Sequence, residues 1–337
     1  MGNKKTAYSI LDLAVISKGK TLGQTLADSV ALAQLADTEG YTRYWLAEHH
    51  NSDAIGSSAT AILIGKIAEG TQRIRVGSGG IMLPNHSPLI IAEQFGTLGT
   101  LYPNRIDLGV GRAPGTDQAT ASAIRSDFYQ AAMNFPEEVQ KIQNYFSTDN
   151  ITQPVRAQVA EGVEVPIYIL GSSTDSAHLA AKKGLPYAFA SHFATAQLMP
   201  ALEIYHREFQ STNALAKPYT LAGVSLIIAD TDAEAERIST SYYGRVIGIL
   251  TGDRGPLEAP TDMTARLQQI IQQPAIQQMT KYAFIGSKET VKKKVKTFME
   301  TTQVDELIAI THVFDAQDRI KSYTLFAEIM RELNPEV

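Results

Sequence analysis

Short runs rich in β-branched and apolar residues alternate with amphipathic stretches from one end of the chain to the other. Eight runs read as strands: Ser9–Leu13, Arg43–His49, Arg75–Leu83, Arg105–Val110, Pro166–Leu170, Tyr187–Ser191, Thr220–Ala229 and Glu306–Thr311. Helical patterns lie between them. Leu22, Leu26, Val30, Leu32 and Leu35 mark one face of a helix over Leu22–Thr38, and Gly40 is placed to cap its end. Ser57–Glu69 closes at Gly70, and Pro88–Leu101 closes at Tyr102-Pro103.

Strict alternation implies parallel pairing, because each crossover must bridge a strand length. Eight such units predict an α/β fold of the (β/α)8 TIM-barrel type, which takes ~250 residues before insertions. The surplus falls in residues 113–165 and 230–305, so the insertions are expected after the fourth and seventh strands. A doubly wound sheet with a cap domain is the structural alternative. No repeat, low-complexity tract or Pro/Gly-rich linker divides the chain, so residues 1–337 read as a single domain.

Composition narrows the function classes. With 44% hydrophobic residues the chain can bury a core unaided, and cysteine is absent. That removes disulfides, thiol nucleophiles, iron–sulfur clusters and cysteine-based zinc sites. Thirty-five acidic residues against 30 basic ones give a net charge of -5, with no basic stripe for nucleic acid. The first residues lack the apolar run of a signal peptide, and no stretch approaches the ~18 apolar residues of a membrane span. MGNKKT nominally fits a myristoylation pattern at Gly2 and Thr6, which is read as chance because one acyl chain anchors only marginally. A cytoplasmic protein that binds neither membrane nor nucleic acid is expected.

Candidate chemistry sits at the strand ends. In Glu48-His49-His50 the histidines should face opposite sides by strand alternation, which opposes joint metal chelation. The tripeptide alone fits equally well a core histidine beside an exposed one. Gly77-Ser78-Gly79-Gly80 reads either as a bulge or as a close approach of a flat ligand to the backbone. Gly109-Val110-Gly111-Arg112-Ala113-Pro114 fails as a dinucleotide fingerprint, because Pro114 stands where glycine is required. Arg112 is a candidate phosphate clamp, with a surface ion pair as the alternative. Gly171-Ser172-Ser173-Thr174-Asp175-Ser176 precedes a helix over Ala177–Lys183, offering hydroxyls and backbone N–H groups to an anion. Arg112 and Ser173/Ser176 would then converge on one phosphate. The apolar run 246–252, with Gly248 and Gly252, fits a lid hinge or a buried crossover equally. No histidine pair on the first strand supports a metal-dependent hydrolase.

These segments, with Tyr44–His50, Arg73–Pro84, Ala92–Phe95, Arg105–Asp117 and Gly171–Pro186 in order, resemble the bacterial luciferase-like flavin monooxygenases, nearest to single-chain non-luminescent members. The resemblance implies a barrel binding FMN as FMNH2 at its C-terminal mouth and oxidising a small organic substrate with O2 through a flavin C4a-peroxide. It assigns His49 to catalysis, and Gly79, Gly80, Arg112, Gly171, Ser172, Ser173 and Ser176 to the cofactor, with a cis peptide at Gly79-Gly80. It implies a separate flavin reductase as FMNH2 donor and a homodimer. The helices Ser57–Glu69 and Pro88–Leu101 are its candidate surfaces. Luciferases proper carry a cysteine where this chain has Gly111, so luminescence is not implied. A deazaflavin (F420)-dependent hydride-transfer enzyme and a non-catalytic FMN-binding protein are the alternatives, and the organic substrate stays open.

Overall fold

Strands buried on both faces read as continuous apolar runs, and here nearly every strand residue is buried. A computed structural model describes residues 5–334; Gly2 and the outermost residues at either end lie outside the described part. The strands are β1 (Ala7–Asp12), β2 (Arg43–Leu46), β3 (Arg75–Met82), β4 (Ile106–Gly111), β5 (Ile167–Gly171), β6 (Tyr187–Phe189), β7 (Thr220–Ala229), β8 (Ala283–Ser287) and β9 (Glu306–Ile310). From β1 to β7 each pairs in parallel with the next, β7 pairs with β9, and β9 returns to β1. Those eight close the barrel.

Helices surround it, and some of them contribute Ala132, Met133, Phe135 and Pro136 to the wall of its mouth. They are α1 (Leu22–Thr38), α2 (Thr60–Glu69), α3 (Pro88–Leu101), α4 (Gln118–Ile124), α5 (Phe128–Met133), α6 (Phe135–Phe146) and α7 (Thr174–Lys183). The chain continues with α8 (Leu198–Glu208), α9 (Asp232–Thr251), α10 (Ala265–Ile271), α11 (Pro274–Met279), α12 (Lys288–Thr302) and α13 (Ala316–Leu333). The first helix has the predicted bounds, opened by a capping box between Thr21 and Gln24 and followed by Gly40 at φ +83°.

Three expectations change. A ninth strand, β8, lies in 230–305 and pairs only with the second half of β7, outside the closed barrel. It is five residues long and only its alternate residues are buried, too little pattern to register against the helices around it. The second strand stops at Leu46, so Glu48, His49 and His50 lie in the loop beyond it. Residues 246–251 are the last turns of α9, which ends at Gly252 (φ +85°); a Cβ on Gly248 would stand 2.2 Å from the Asp253 carbonyl oxygen. That segment is a helix end whose exposure rises from buried Val246 to Leu250, 48% exposed.

The lower interior of the barrel is ionic. Arg43 on β2 donates from Nε to Glu306 Oε1 (2.8 Å) and from Nη1 to Asp107 Oδ2 (2.8 Å) and Tyr168 Oη (2.7 Å). Trp45 Nε1 and Arg75 Nη2 also donate to Asp107, while Tyr219 and Ser9 donate to Glu306. Burial alone would pull the Arg43 pKa down, but Glu306 and Asp107 outweigh it and hold the guanidinium charged. Above this layer Leu11, Trp45, Leu221 and Ile308 fill the barrel with apolar side chains. Outside the strands, a larger apolar layer packs them against the helices.

Arg43→Met should lower the unfolding free energy by about 3–5 kcal/mol, because two buried carboxylates lose their partner. Combining it with Glu306→Gln should cost less than the sum of the single changes, as a urea-denaturation double-mutant cycle would show.

Candidate active site

Above the apolar layer, at the C-terminal ends of the strands, opens a cavity of about 690 Å3. Leu11, Trp45, Leu170 and Ile308 supply apolar surface, with Phe189 and Phe193 on the β6 side. The volume lies within the ~300–1,000 Å3 typical of cofactor and ligand pockets. Active sites of barrel enzymes occupy this face, where loops can vary without disturbing the sheet.

One side of the cavity is polar. Arg112 follows β4, Gly171 ends β5 and Ser172 and Ser173 follow it, and all four line the cavity together with Ser176. Gly171 is required by the packing: a Cβ there would stand 1.7 Å from Ser176 Oγ. The Ser176 hydroxyl donates to the Ser173 carbonyl (2.7 Å) and shares a hydrogen bond with Tyr187 Oη (3.0 Å), fixing the first turn of α7. Ser173 is the N-cap but makes no side-chain cap, so its hydroxyl is not spent on the helix. Arg112, its side chain 54% exposed, pairs among the described residues with Asp175 at 3.4 Å, a loose surface pair that a phosphate can replace. Guanidinium, hydroxyls and a helix N-terminus make a donor set that fits a phosphate, and the adjoining apolar walls fit a flat ring.

The Gly79-Gly80 peptide is cis, and the β3–β4 register shifts between Ser78 and Ile81. Gly79 lines the cavity. Gly80 is not among the residues that line it, and a Cβ there would meet Leu170 and the Gly109 backbone. The register shift fits the bulge, and at both glycines protein atoms stand where a Cβ would go, Leu11 and Trp45 at Gly79 and Leu170 and Gly109 at Gly80.

Glu48 organises the histidine loop. Its buried carboxylate accepts from His50 Nε2 (2.8 Å), His86 Nε2 (2.9 Å), Met82 N (2.9 Å) and Asn85 Nδ2 (3.1 Å). Burial pushes its pKa up, but the hydrogen bonds from His50 and His86 prevail and bring it from the ordinary 4.5 to about 2. His50 is thereby turned onto Glu48, while His49 lines the cavity. His49 Nδ1 lies 3.1 Å from the Gly115 carbonyl, which can only accept, so Nδ1 carries the proton and Nε2 is the basic nitrogen. Burial lowers the His49 pKa, leaving the ring neutral near pH 7.

The cavity thus brings together His49, Gly79, Arg112, Gly171, Ser172, Ser173 and Ser176, and leaves Gly80 aside. It adds His192, just past β6, which sequence reasoning passed over. Among the described residues no group of three or more acidic or histidine side chains could hold a metal ion. No helix among them is long and apolar enough to cross a membrane.

Residues 6–306 match the luciferase-like monooxygenase family. A luciferase-like monooxygenase of Escherichia coli (strain K12) is 42% identical over 333 residues, covering 99% of each chain. The crystal structure of apo-MsnO8 superposes with a TM-score of 0.88 at 31% identity, covering 98% of this chain and all of that one. The fold alone is shared with the FMN complex of the oxygenating constituent of 3,6-diketocamphane monooxygenase from Pseudomonas putida. That match has TM-score 0.73 and 18% identity, over 98% of this chain and 99% of that one.

Because the Glu48 pKa is depressed in the folded state, its stabilisation is complete above pH 4.5 and lost as pH falls towards 2. Glu48→Gln should cost up to about 3 kcal/mol at neutral pH. The gap between variant and parent should close across that acid range in urea titrations; a gap constant down to the acid limit would contradict the assignment.

Proposed function

The chain belongs to the luciferase-like monooxygenase family, oxidoreductases that incorporate oxygen, and from that premise we propose that its barrel mouth binds FMN as FMNH2 and directs O2 onto a small organic substrate. The observation that carries this reading is the polar cradle of Arg112, Ser172 and Ser173 beside an apolar cavity that also holds His49. Reduced flavin, when bound, supplies the oxygen activation that no side chain of this protein can perform.

The residues of the chain have distinct tasks. Arg112 and the α7 N-terminal turn bind the phosphate. Trp45, Leu11 and Ile308 support the ring and keep water away from it. Neutral His49, with Nδ1–H held by Gly115, presents Nε2 to take or return a proton at the reacting centre. Reduced flavin reaches the site from a separate reductase, since the chain carries no nicotinamide fingerprint.

Calorimetry should find about one FMN site per chain. Arg112→Ala should weaken it by about 2 kcal/mol, roughly thirtyfold in Kd. His49→Ala should keep FMN affinity but release more of the consumed O2 as hydrogen peroxide, with His50→Ala changing that ratio far less. Unchanged FMN affinity in the Arg112 variant would overturn the cradle. Preference for deazaflavin over FMN would move the reading to hydride transfer.

We also propose a homodimer through α2 and α3, whose outer faces expose Ile62 (76%), which lines a shallow groove between them, and Ile90 (46%). Ile62→Glu should shift the sedimentation mass from dimer to monomer. A parent protein that sediments as a monomer at every concentration would reject the interface.

A further inference from the structure

We propose that His192, across the mouth from His49, determines substrate choice by donating a hydrogen bond to a neutral carbonyl oxygen. The inference rests on the reading of the mouth as the oxidising site and adds the substrate class.

The strand order places the two histidines on opposite walls. His49 follows β2 and His192 follows β6, and three strands separate β2 from β6 in either direction around the closed barrel. Both line the cavity. A phosphate held after β4 and β5, with its ring running past Gly79 on β3 toward His49, fills one half of the mouth. That leaves the β6–β7 half, walled by Phe189, Ala190, His192, Phe193 and Gly223, to the substrate.

The chain holds the His192 ring in a fixed place. A Cβ on Gly223 of β7 would stand 2.5 Å from His192 Nδ1, so the imidazole uses the space that the glycine leaves. The Ser191 hydroxyl donates to the Gly223 carbonyl (2.7 Å) and ties the end of β6 to β7. Phe193 meets the imidazole edge-on, with ring centroids 4.8 Å apart.

That packing decides which nitrogen serves a ligand. Nδ1 is buried and has no hydrogen-bond partner, whereas Nε2 is unpartnered but not buried. A neutral imidazole carries one proton, and an orphaned buried N–H is rare in native proteins. The proton therefore sits on Nε2, which donates into the cavity. Burial pushes the His192 pKa down to about 3, so the ring stays a neutral donor. His49 has the opposite tautomer, with Nδ1–H held by the Gly115 carbonyl and Nε2 accepting. One wall accepts and the other donates.

Charge sets the class of ligand. Among the residues that line the cavity only Arg112 and Asp175 carry a formal charge, and both stand on the β4–β5 side. An ionised group at the β6–β7 wall would lose its water without meeting a counter-ion. A neutral acceptor avoids that cost, because the Nε2–H replaces the water it gives up. A carbonyl oxygen presents its lone pairs in the plane an imidazole N–H can reach, and the apolar remainder packs on Phe189 and Phe193.

The test is calorimetric titration of the full chain with acetophenone, ethylbenzene and benzoate, each with and without saturating FMN. The three share a ring and differ in carrying a neutral acceptor, none, or a charge. Acetophenone should bind about tenfold more tightly than either of the others. His192→Phe should abolish that preference, His192→Gln should keep most of it, and both should bind FMN as the parent does. Gly223→Ala, which keeps the imidazole but crowds it, should also lose the preference. Imidazole 15N spectra should show His192 protonated at Nε2. Bound acetophenone should have its C=O stretch at lower wavenumber in the parent than in His192→Phe; a histidine that only packs would leave that frequency unchanged. A His192 protonated at Nδ1, ethylbenzene or benzoate bound as tightly as acetophenone, or FMN affinity lost in His192→Phe overturns the proposal. A parent that prefers acetophenone but binds no FMN would overturn the flavin reading and leave the His192 donor standing.

Discussion

The fold hangs on Arg43. One guanidinium on β2 reaches Asp107 on β4 and Glu306 on β9, and so spans the inside of the barrel rather than one strand pair. A buried ion pair is weak evidence of net stability, since desolvation offsets much of the Coulomb attraction. Its consequence is register. A one-residue slip of any of these strands would turn its charge outward into the apolar layer against the helices, leaving the partners buried and unpaired. With β2, β4 and β9 fixed in phase, the phase of their neighbours follows through the parallel ladders.

That ionic floor decides what the upper end can be. Residues two and four places further along the same strands, such as Trp45 and Ile308, also face inward and close the interior with apolar surface. The residues just past the strand ends then emerge together at one mouth: His49, Arg112, Ser172 and His192. Glu48 pins the His49 loop by accepting from two imidazoles, a backbone N–H and an amide. The same carboxylate takes His50 out of the cavity, so a pair of adjacent histidines becomes one wall residue and one support.

How much of this was legible in the sequence varies by element. Thr220–Ala229 and Pro88–Leu101 carry enough periodic residues to be bounded correctly from pattern alone. Ala283–Ser287 does not, because it covers only the free half of β7 and alternates between buried and half-buried. The polar cradle was legible because glycine, hydroxyl and arginine residues cluster locally after the fourth and fifth strands. His192 was not, since it stands alone between ordinary neighbours in Ser191-His192-Phe193. Its meaning lies in its place on the cavity wall. Asking which residue follows every predicted strand, and not only the second to fifth, would have found it. Gly80 shows the opposite limit: a glycine run marks close approach but not whether a ligand or the protein makes it.

The electrostatics of the mouth have a consequence for orientation. Arg112 stands at the β4–β5 side of the mouth, and His49 and His192 line it beyond β2 and β6. Away from Arg112 the cavity is largely apolar, and burial disfavours the charged forms of its imidazoles. Within such a low-dielectric gap, fixed charges act over longer distances than in water, and there is little mobile charge to screen them. An anionic end of a ligand held at Arg112 would set its uncharged part in the apolar middle of the cavity. His49, whose Nε2 is basic and unprotonated, lies beside that middle region. Orientation would come from that fixed end, and proton movement from the one wall residue that Glu48 and Gly115 hold in place.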